Sequence, residues 1–381
     1  MSDAQVVVIG AGPAGVAAAV ALKDRDLHPL VLDAAGEVAS SWRSRYDGLR
    51  LNTCRPYSHL PGRRFPRGTP MFASRDQLVE HLDRHAHEEG IELRLGTRVE
   101  RIDRSNGQWG LDTSEGELRT PQVIVATGFE QEPVIPDWPG RERFGGELIH
   151  SREYRNPEPF AGKRVLVVGP GCSGMEIAHF VGGGGASKVW LSARTPPNIV
   201  LRAGRGGLPG DILAVAVLHL PARIGDSIAR FGRRQDIGDL TEYGLPVPEE
   251  GVFTRLHRTG QAPAIVDKEV IESIRARRFE IVAGVESLDE TGVQLAGGSR
   301  VEPDVVICAT GYSRKLEPLV GHLGVLDEHG VPRARHGRPA APGLRFIGYV
   351  PRPGGLGYAG KEARRAARAV ARERSAPSLT G

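Results

Sequence analysis

The stretch that decides the fold is Val6-Val7-Val8-Ile9-Gly10-Ala11-Gly12-Pro13-Ala14-Gly15, followed by the Ala-rich run to Lys23. Four apolar residues ended by a glycine predict a strand buried on both faces. Gly10 to Gly15 spell G-x-G-x-x-G, and Ala14 to Lys23 predict the helix that this motif needs behind it. Gly10 permits the tight turn, Gly12 leaves the backbone open to a pyrophosphate, and Gly15 lets the helix close on the strand. With Pro13 and Ala14 they place a helix N-terminus, whose free N–H groups favour anions, at the phosphates. His28 to Leu32 predict a second strand, and it ends at Asp33, 23 positions after Gly10. A carboxylate there accepts from ribose hydroxyls and repels a 2′-phosphate, so this loop favours FAD or NAD over NADP.

The same pattern returns further along the chain. Arg164 to Val168 predict a strand, Gly169-Pro170-Gly171-Cys172-Ser173-Gly174 a second glycine loop, Met175 to Val181 a helix, and Lys188 to Leu191 the next strand. That strand runs out in Ser192-Ala193-Arg194, with no acid. Ser192 and Arg194 stand where a 2′-phosphate would be held, so NADPH is the expected dinucleotide. Two such loops in one chain imply two dinucleotides, commonly a flavin and a nicotinamide.

Between and beyond the loops, Asp76 to Glu89 predict a helix capped by Ser74, Ile91 to Val99 a strand, Gln108–Asp112 and Glu117–Thr120 a hairpin, and Val123–Ala126 a buried strand. Val305 to Ala309 and Leu344 to Ile347 predict further strands, and Lys361 to Arg372 a closing helix before a loose tail. Residues 195–265 are rich in Pro and Gly and predict one helix, near Asp211 to His219. The expected class is α/β with two Rossmann-like dinucleotide-binding domains. The first is discontinuous (1–154 and 311–381) and the second is inserted at 155–310.

With 381 residues, a net charge of +4 and a pI near 9.1, the chain has a modest basic excess, and its arginines are dispersed among acids. This argues against nucleic acid as a partner. The longest apolar run, Ile212 to Leu218, is too short to span a membrane. Cys54, Cys172 and Cys308 form no C-x-x-C, which suits a reducing cytoplasm and points away from a dithiol centre. His81 and His85 have i, i+4 spacing but no third ligand, so a solvated helix face is expected and no metal. The expected partners are a small-molecule substrate and O2, with a homodimer as the candidate assembly.

Phe144-Gly145-Gly146-Glu147-Leu148-Ile149-His150-Ser151-Arg152-Glu153-Tyr154 resembles the F-x-G-x-x-x-H-x-x-x-[YF] signature of flavin-containing monooxygenases. Ser41-Trp42-Arg43 and Tyr46 to Thr53 are similar to the family stretch against the flavin. Ala126-Thr127-Gly128 and Ala309-Thr310-Gly311-Tyr312 are similar to its two interdomain segments, and Phe346-Ile347-Gly348 through Gly354-Gly355-Leu356 to its flavin-ring segment. Ser173-Gly174-Met175-Glu176, Leu60-Pro61-Gly62 and Asp239 to Pro246 resemble the auxin-forming YUCCA-like branch and its bacterial relatives. Asn52, where that branch carries His, resembles the amine and sulfur oxygenases instead.

The resemblance implies a monooxygenase in which NADPH reduces FAD and O2 forms a C4a-hydroperoxide that oxygenates nitrogen or sulfur, or decarboxylates a 2-oxo acid. It implies cofactor contacts at Trp42, Arg43, Asn52, Val99, Thr127, Gly128, Thr310, Gly311, Gly355 and Leu356, besides Gly10, Gly12, Pro13, Ala14, Gly15, Asp33, Gly169, Gly171, Cys172, Ser173, Gly174, Ser192 and Arg194. Asn52, His150 and Tyr154 are the catalytic candidates, with His150 and Tyr154 read as bracing the domain junction. The alternatives are a flavin-dependent reductase without oxygen insertion, a Baeyer–Villiger oxygenase (disfavoured because Arg155, not Trp-Pro, follows Tyr154) and a non-catalytic dinucleotide sensor.

Overall fold

A computed structural model describes residues 4–375, and these build two α/β units, each around a mostly parallel sheet. In the first sheet the strands lie in the order Pro339–Ala341, Leu344–Phe346, Val123–Val125, Val6–Ile9, Pro29–Asp33, Glu92–Leu95. All neighbours are parallel except the outermost pair, Pro339–Ala341 with Leu344–Phe346. The second sheet runs Glu280–Val282, Lys188–Ser192, Arg164–Val168, Val305–Cys308, Glu147–His150 and is parallel throughout. It takes in Glu147–His150, a strand that precedes residue 155.

Each glycine-loop strand sits inside its sheet and is apolar on both faces because helices cover one side and a small antiparallel sheet, within residues 99–120 in the first unit and 285–301 in the second, covers the other. Val6 to Ile9 and Val165 to Val168 are buried, the least covered at 7% exposure. Helix Pro13–Lys23 is buried over Gly15 to Leu22, and its small alanines admit helix Gly355–Ser375, which buries Ala359, Ala363, Ala366, Ala367 and Val370 in the same core.

Helix Arg75–Glu88 starts where expected. Ser74 Oγ accepts from Gln77 N at 3.2 Å and Gln77 Oε1 from Ser74 N at 3.0 Å, a reciprocal cap worth about 1 kcal/mol. The strand expected over Ile91–Val99 is broken instead: Gly96 turns to φ +77°, and Val99 opens a separate antiparallel sheet of Val99–Ser105, Gln108–Thr113 and Gly116–Thr120.

Two further expectations are corrected. Segment 195–265 holds three helices, Gly210–Val217, Ala222–Asp236 and Val252–Thr259, and two short parallel strands, Ile199–Leu201 and Ala264–Val266. In the second helix Ile224, Ile228 and Phe231 have helical spacing, but Gly225 and Gly232 lower its propensity, and the fold turns those apolar side chains outward with Gly225 and Asp226 facing in. The closing helix begins at Gly355, six residues before Lys361, because Gly355, Gly357 and Gly360 mask its first turns. Gly357 is needed there: a Cβ would lie 2.6 Å from Tyr57 O. The tail beyond Ser375 lies outside the described residues. Among the described residues no helix is long and apolar enough to cross a membrane.

The chain passes between the units twice, and the two passages hold each other. Glu132–Pro133 pairs antiparallel with Tyr312–Ser313, Gln131 N donates to Ser313 O at 3.1 Å, and Val134 N to Gly311 O at 3.0 Å.

Candidate active site

The two glycine loops have the geometry their spacing predicts. Gly10 and Gly169 both take φ +109°, and a Cβ on either would crowd a carbonyl, Ala126 O at 2.6 Å and Ala309 O at 2.5 Å. A Cβ on Gly15 would fall on Gly10 O, and one on Gly174 on Gly169 O. Gly12 and Gly171 are different: a Cβ there would meet nothing within 4 Å, so the backbone faces open space. Neither following helix, Pro13–Lys23 or Cys172–Gly183, is capped by a side chain, so first-turn N–H groups remain available at Ala14 and Gly15, and at Ser173 and Gly174. Both cradles fit a dinucleotide pyrophosphate.

The strand ends differ. Asp33 is half-buried and accepts from Ala11 N at 2.6 Å and Ala35 N at 2.8 Å. In the second unit Ser192 is 2% exposed and its hydroxyl donates to Ala283 O at 2.8 Å, so it is turned inward rather than to the strand end. Arg194 is exposed and makes no ion pair among the described residues. Cys172 Sγ accepts from Ile265 N at 3.2 Å and donates to Pro263 O at 3.6 Å, and burial pushes the thiol pKa up, so this cysteine is structural.

The signature residues meet at the domain junction. His150 is 1% exposed. Its Nδ1 accepts from Arg152 N at 3.1 Å, so its Nε2 donates to Gly311 O at 3.1 Å, and Tyr312 packs edge-on at 4.8 Å. Burial lowers its pKa and both ring nitrogens are engaged by backbone, which makes it a brace rather than a proton carrier. Tyr154 lies 5.9 Å from the Tyr46 ring and 5.7 Å from Phe160, with its hydroxyl buried and unpartnered; burial, then Asp47, raises its pKa. Thr127 Oγ1 and Tyr349 Oη share a hydrogen bond of 2.7 Å beside Gly128, and Thr310 Oγ1 donates to Val134 O.

Asn52 is tied to residues that sequence reading did not assemble. Its Oδ1 accepts from Arg202 Nη2 at 3.1 Å and Nε at 3.3 Å. The Arg202 side chain is 1% exposed and pairs with Glu176 and Asp267, and Glu176 also accepts from Tyr46 Oη. Burial lowers the Arg202 pKa, and the carboxylates of Glu176 and Asp267 more than reverse that, so the guanidinium stays charged. This chain of contacts joins the segment around Asn52 to the helix of the second glycine loop. Glu176 was the available signal: an acid amid buried Met175, Ile177 and Ala178 needs a cation.

The remaining expected contacts are spread around this junction. Trp42 and Leu356 pack half-buried on the first core. Arg43 Nε donates to Val38 O at 2.9 Å and pairs with Glu37 at 3.3 Å and Asp83 at 3.2 Å, which commits it to its own domain. Val99 is half-buried opposite Thr113, and Gly355 opens the closing helix. His81 is buried against Phe65, ring centroids 4.1 Å apart, rather than on a solvated face, and no group of three or more metal-binding side chains occurs among the described residues.

Residues 3–323 match the family model described as FMO-like, flavin-binding monooxygenase-like. The chain is 32% identical over 364 residues to a rice (Oryza sativa subsp. japonica) protein named indole-3-pyruvate monooxygenase YUCCA1, covering 91% of this chain and 86% of that one. Its fold is similar to the flavin-containing monooxygenase from Stenotrophomonas maltophilia, with a TM-score of 0.74 at 23% identity over 98% of this chain and all of that one. It is also similar to cyclohexanone monooxygenase, with a TM-score of 0.73 at 18% identity over 97% of this chain and 88% of that one.

Proposed function

The chain belongs to the flavin-binding monooxygenase-like family, and from that premise we propose that it binds FAD at Gly10–Gly15 and NADPH at Gly169–Gly174 and oxygenates a small organic substrate with O2. The observation that carries this is the pair of open cradles with different strand ends, a carboxylate at Asp33 and a free cation at Arg194. A carboxylate suits an unphosphorylated ribose, and a guanidinium suits a 2′-phosphate. FAD, when bound, supplies hydride acceptance and oxygen activation. The chain's own work is to hold, orient and exclude water. Gly12 and Gly171 let backbone reach the phosphates. His150 locks the paired passages between the units through Gly311, and Arg202 fixes the Asn52 side chain at the junction.

The balance is NADPH + H⁺ + O2 + substrate → NADP⁺ + H2O + oxygenated substrate. For a 2-oxo acid, the substrate class printed in the rice relative's name, the products are the acid one carbon shorter and CO2. The test is oxidation of NADPH by the purified yellow protein under ¹⁸O2, with indole-3-pyruvate and a panel of thioethers and amines. One ¹⁸O atom in an organic product per NADPH consumed is the expected result. NADPH consumption that yields only hydrogen peroxide across the panel overturns the proposal in favour of a reductase.

A further inference from the structure

Segment Pro56–Arg64 lies against the first turns of helix Gly355–Ser375 and with it lines an open cavity of about 470 Å³. No residue of either glycine loop lines it, although it adjoins Gly355 and Leu356 through Gly354 and Gly357. Its wall carries Arg63, Arg64, Arg352, Lys361 and Arg364 and not one Asp or Glu. Of these, Arg63 shows how this fold treats a cation of purely structural use: Asp24 at 2.7 Å and Glu89 at 2.5 Å hold it from two sides. Arg64, Lys361 and Arg364 make no ion pair among the described residues, and Arg352 lies over the Tyr358 ring, 4.0 Å from its centroid, within electrostatic reach of Glu362.

Like charges gathered on one cavity repel each other, and a bound anion removes that repulsion. The same field reaches His59, whose pKa burial lowers and Arg64 and Arg55 lower further. Tyr57 and Tyr358 add aromatic wall.

We propose that this cavity is a binding site for a small aromatic or otherwise planar organic anion, its acid group recognised by Arg64, Arg352, Lys361 and Arg364. The site lies apart from both dinucleotide cradles, and its occupation is measurable without turnover, so its failure and that of the monooxygenase reading are separate. The acid group can be the carboxylate of an organic acid or a phosphate, and one experiment separates them.

The purified full-length protein is titrated calorimetrically with benzoate, its uncharged counterpart benzamide, and phenyl phosphate, at low and high salt. Benzoate or phenyl phosphate is expected to bind about tenfold more tightly than benzamide, with the advantage shrinking as salt rises. The tighter of the two anions identifies the source. The double variant Arg64→Glu/Lys361→Glu is expected to lose the anion by about tenfold or more while adenosine 2′,5′-bisphosphate, a ligand for the second glycine loop, still binds. Equal binding of benzoate, phenyl phosphate and benzamide overturns the site. So does unchanged anion affinity in a folded double variant, or parallel loss of the bisphosphate. Should the double variant fail to fold, Arg364→Gln and the salt series on the natural protein carry the same decision.

Discussion

The loops Gly10–Gly15 and Gly169–Gly174 repeat one structure with one exchange. The turn glycines share φ +109°, and the residues before the helices agree closely, φ −80° and ψ −173° at Gly12 against φ −81° and ψ −174° at Gly171. Strand register aligns Ile9 with Leu32 and Val168 with Ser192, so the residue corresponding to Asp33 is Ala193. The residue corresponding to Ala11 is Pro170. The first loop has a backbone N–H at Ala11 and a carboxylate at Asp33 to accept it; the second lacks both. Donor and acceptor vanish together, which avoids the roughly 1–3 kcal/mol of a buried unsatisfied group. The shared part is steric and serves any pyrophosphate. The exchanged part sets which ribose is welcome.

The harshest way to break this symmetry is to fill the shared close approach. Gly15→Ala and Gly174→Ala each set a methyl on the carbonyl of the loop's first glycine, and the helix has to move off its strand. Each is expected to cost about 3 kcal/mol or more, with different losses: Gly15→Ala loses flavin, whereas Gly174→Ala stays yellow and loses NADPH. The flavin-to-protein ratio and an NADPH titration read both. A Gly174→Ala protein without flavin would show that the loops do not serve separate ligands.

A second difference sharpens the comparison through pH. His179, on the helix of the second loop, bonds Ser273 Oγ at 2.7 Å, whereas His81 in the first unit is 1% exposed with neither ring nitrogen hydrogen-bonded. Burial first, then His85, lowers the His81 pKa from 6.5 to about 4. The unfolded chain therefore takes up a proton near pH 6.5 that the folded one refuses, and stability, full above 6.5, falls as pH drops toward 4. The loss approaches about 3 kcal/mol. Thermal unfolding should show the first unit yielding first in acid, and His81→Phe should flatten that slope. An unchanged slope in His81→Phe would place the acid sensitivity elsewhere.

What could be read from sequence was what sterics or a strict period impose. Gly10, Gly15, Gly169 and Gly174 tolerate no side chain, so their pattern survives in the sequence, and Val6–Ile9 and Val165–Val168 are apolar because nothing polar fits there. The Asn52–Arg202–Glu176–Asp267 contacts come from four distant segments, and only folding brings them together. Counting along a strand does not reveal its register: Ser192 stands opposite Val168, one position short of the residue that corresponds to Asp33. The helix Ala222–Asp236 is obscured by Gly225 and Gly232, residues of poor helix propensity.

The exchanged pair itself gives the finest test. Asp33→Ala removes the acceptor from Ala11 N and Ala35 N, and is expected to cost about 1–3 kcal/mol of first-unit stability and loosen FAD. The reciprocal change, Ala193→Asp with Pro170→Ala, installs a carboxylate and its N–H donor in the second loop. A 2′-phosphate would then meet a negative charge, so NADPH affinity should fall about tenfold, near 1.4 kcal/mol, while NADH affinity holds or rises. Arg194→Ala should weaken NADPH by a similar or smaller factor and leave NADH alone, because it removes attraction without adding repulsion. Steady-state KM values for both nucleotides decide it. If the double variant lowers NADPH and NADH affinity equally, the exchange only shapes the turn, and cofactor choice rests on residues other than this pair.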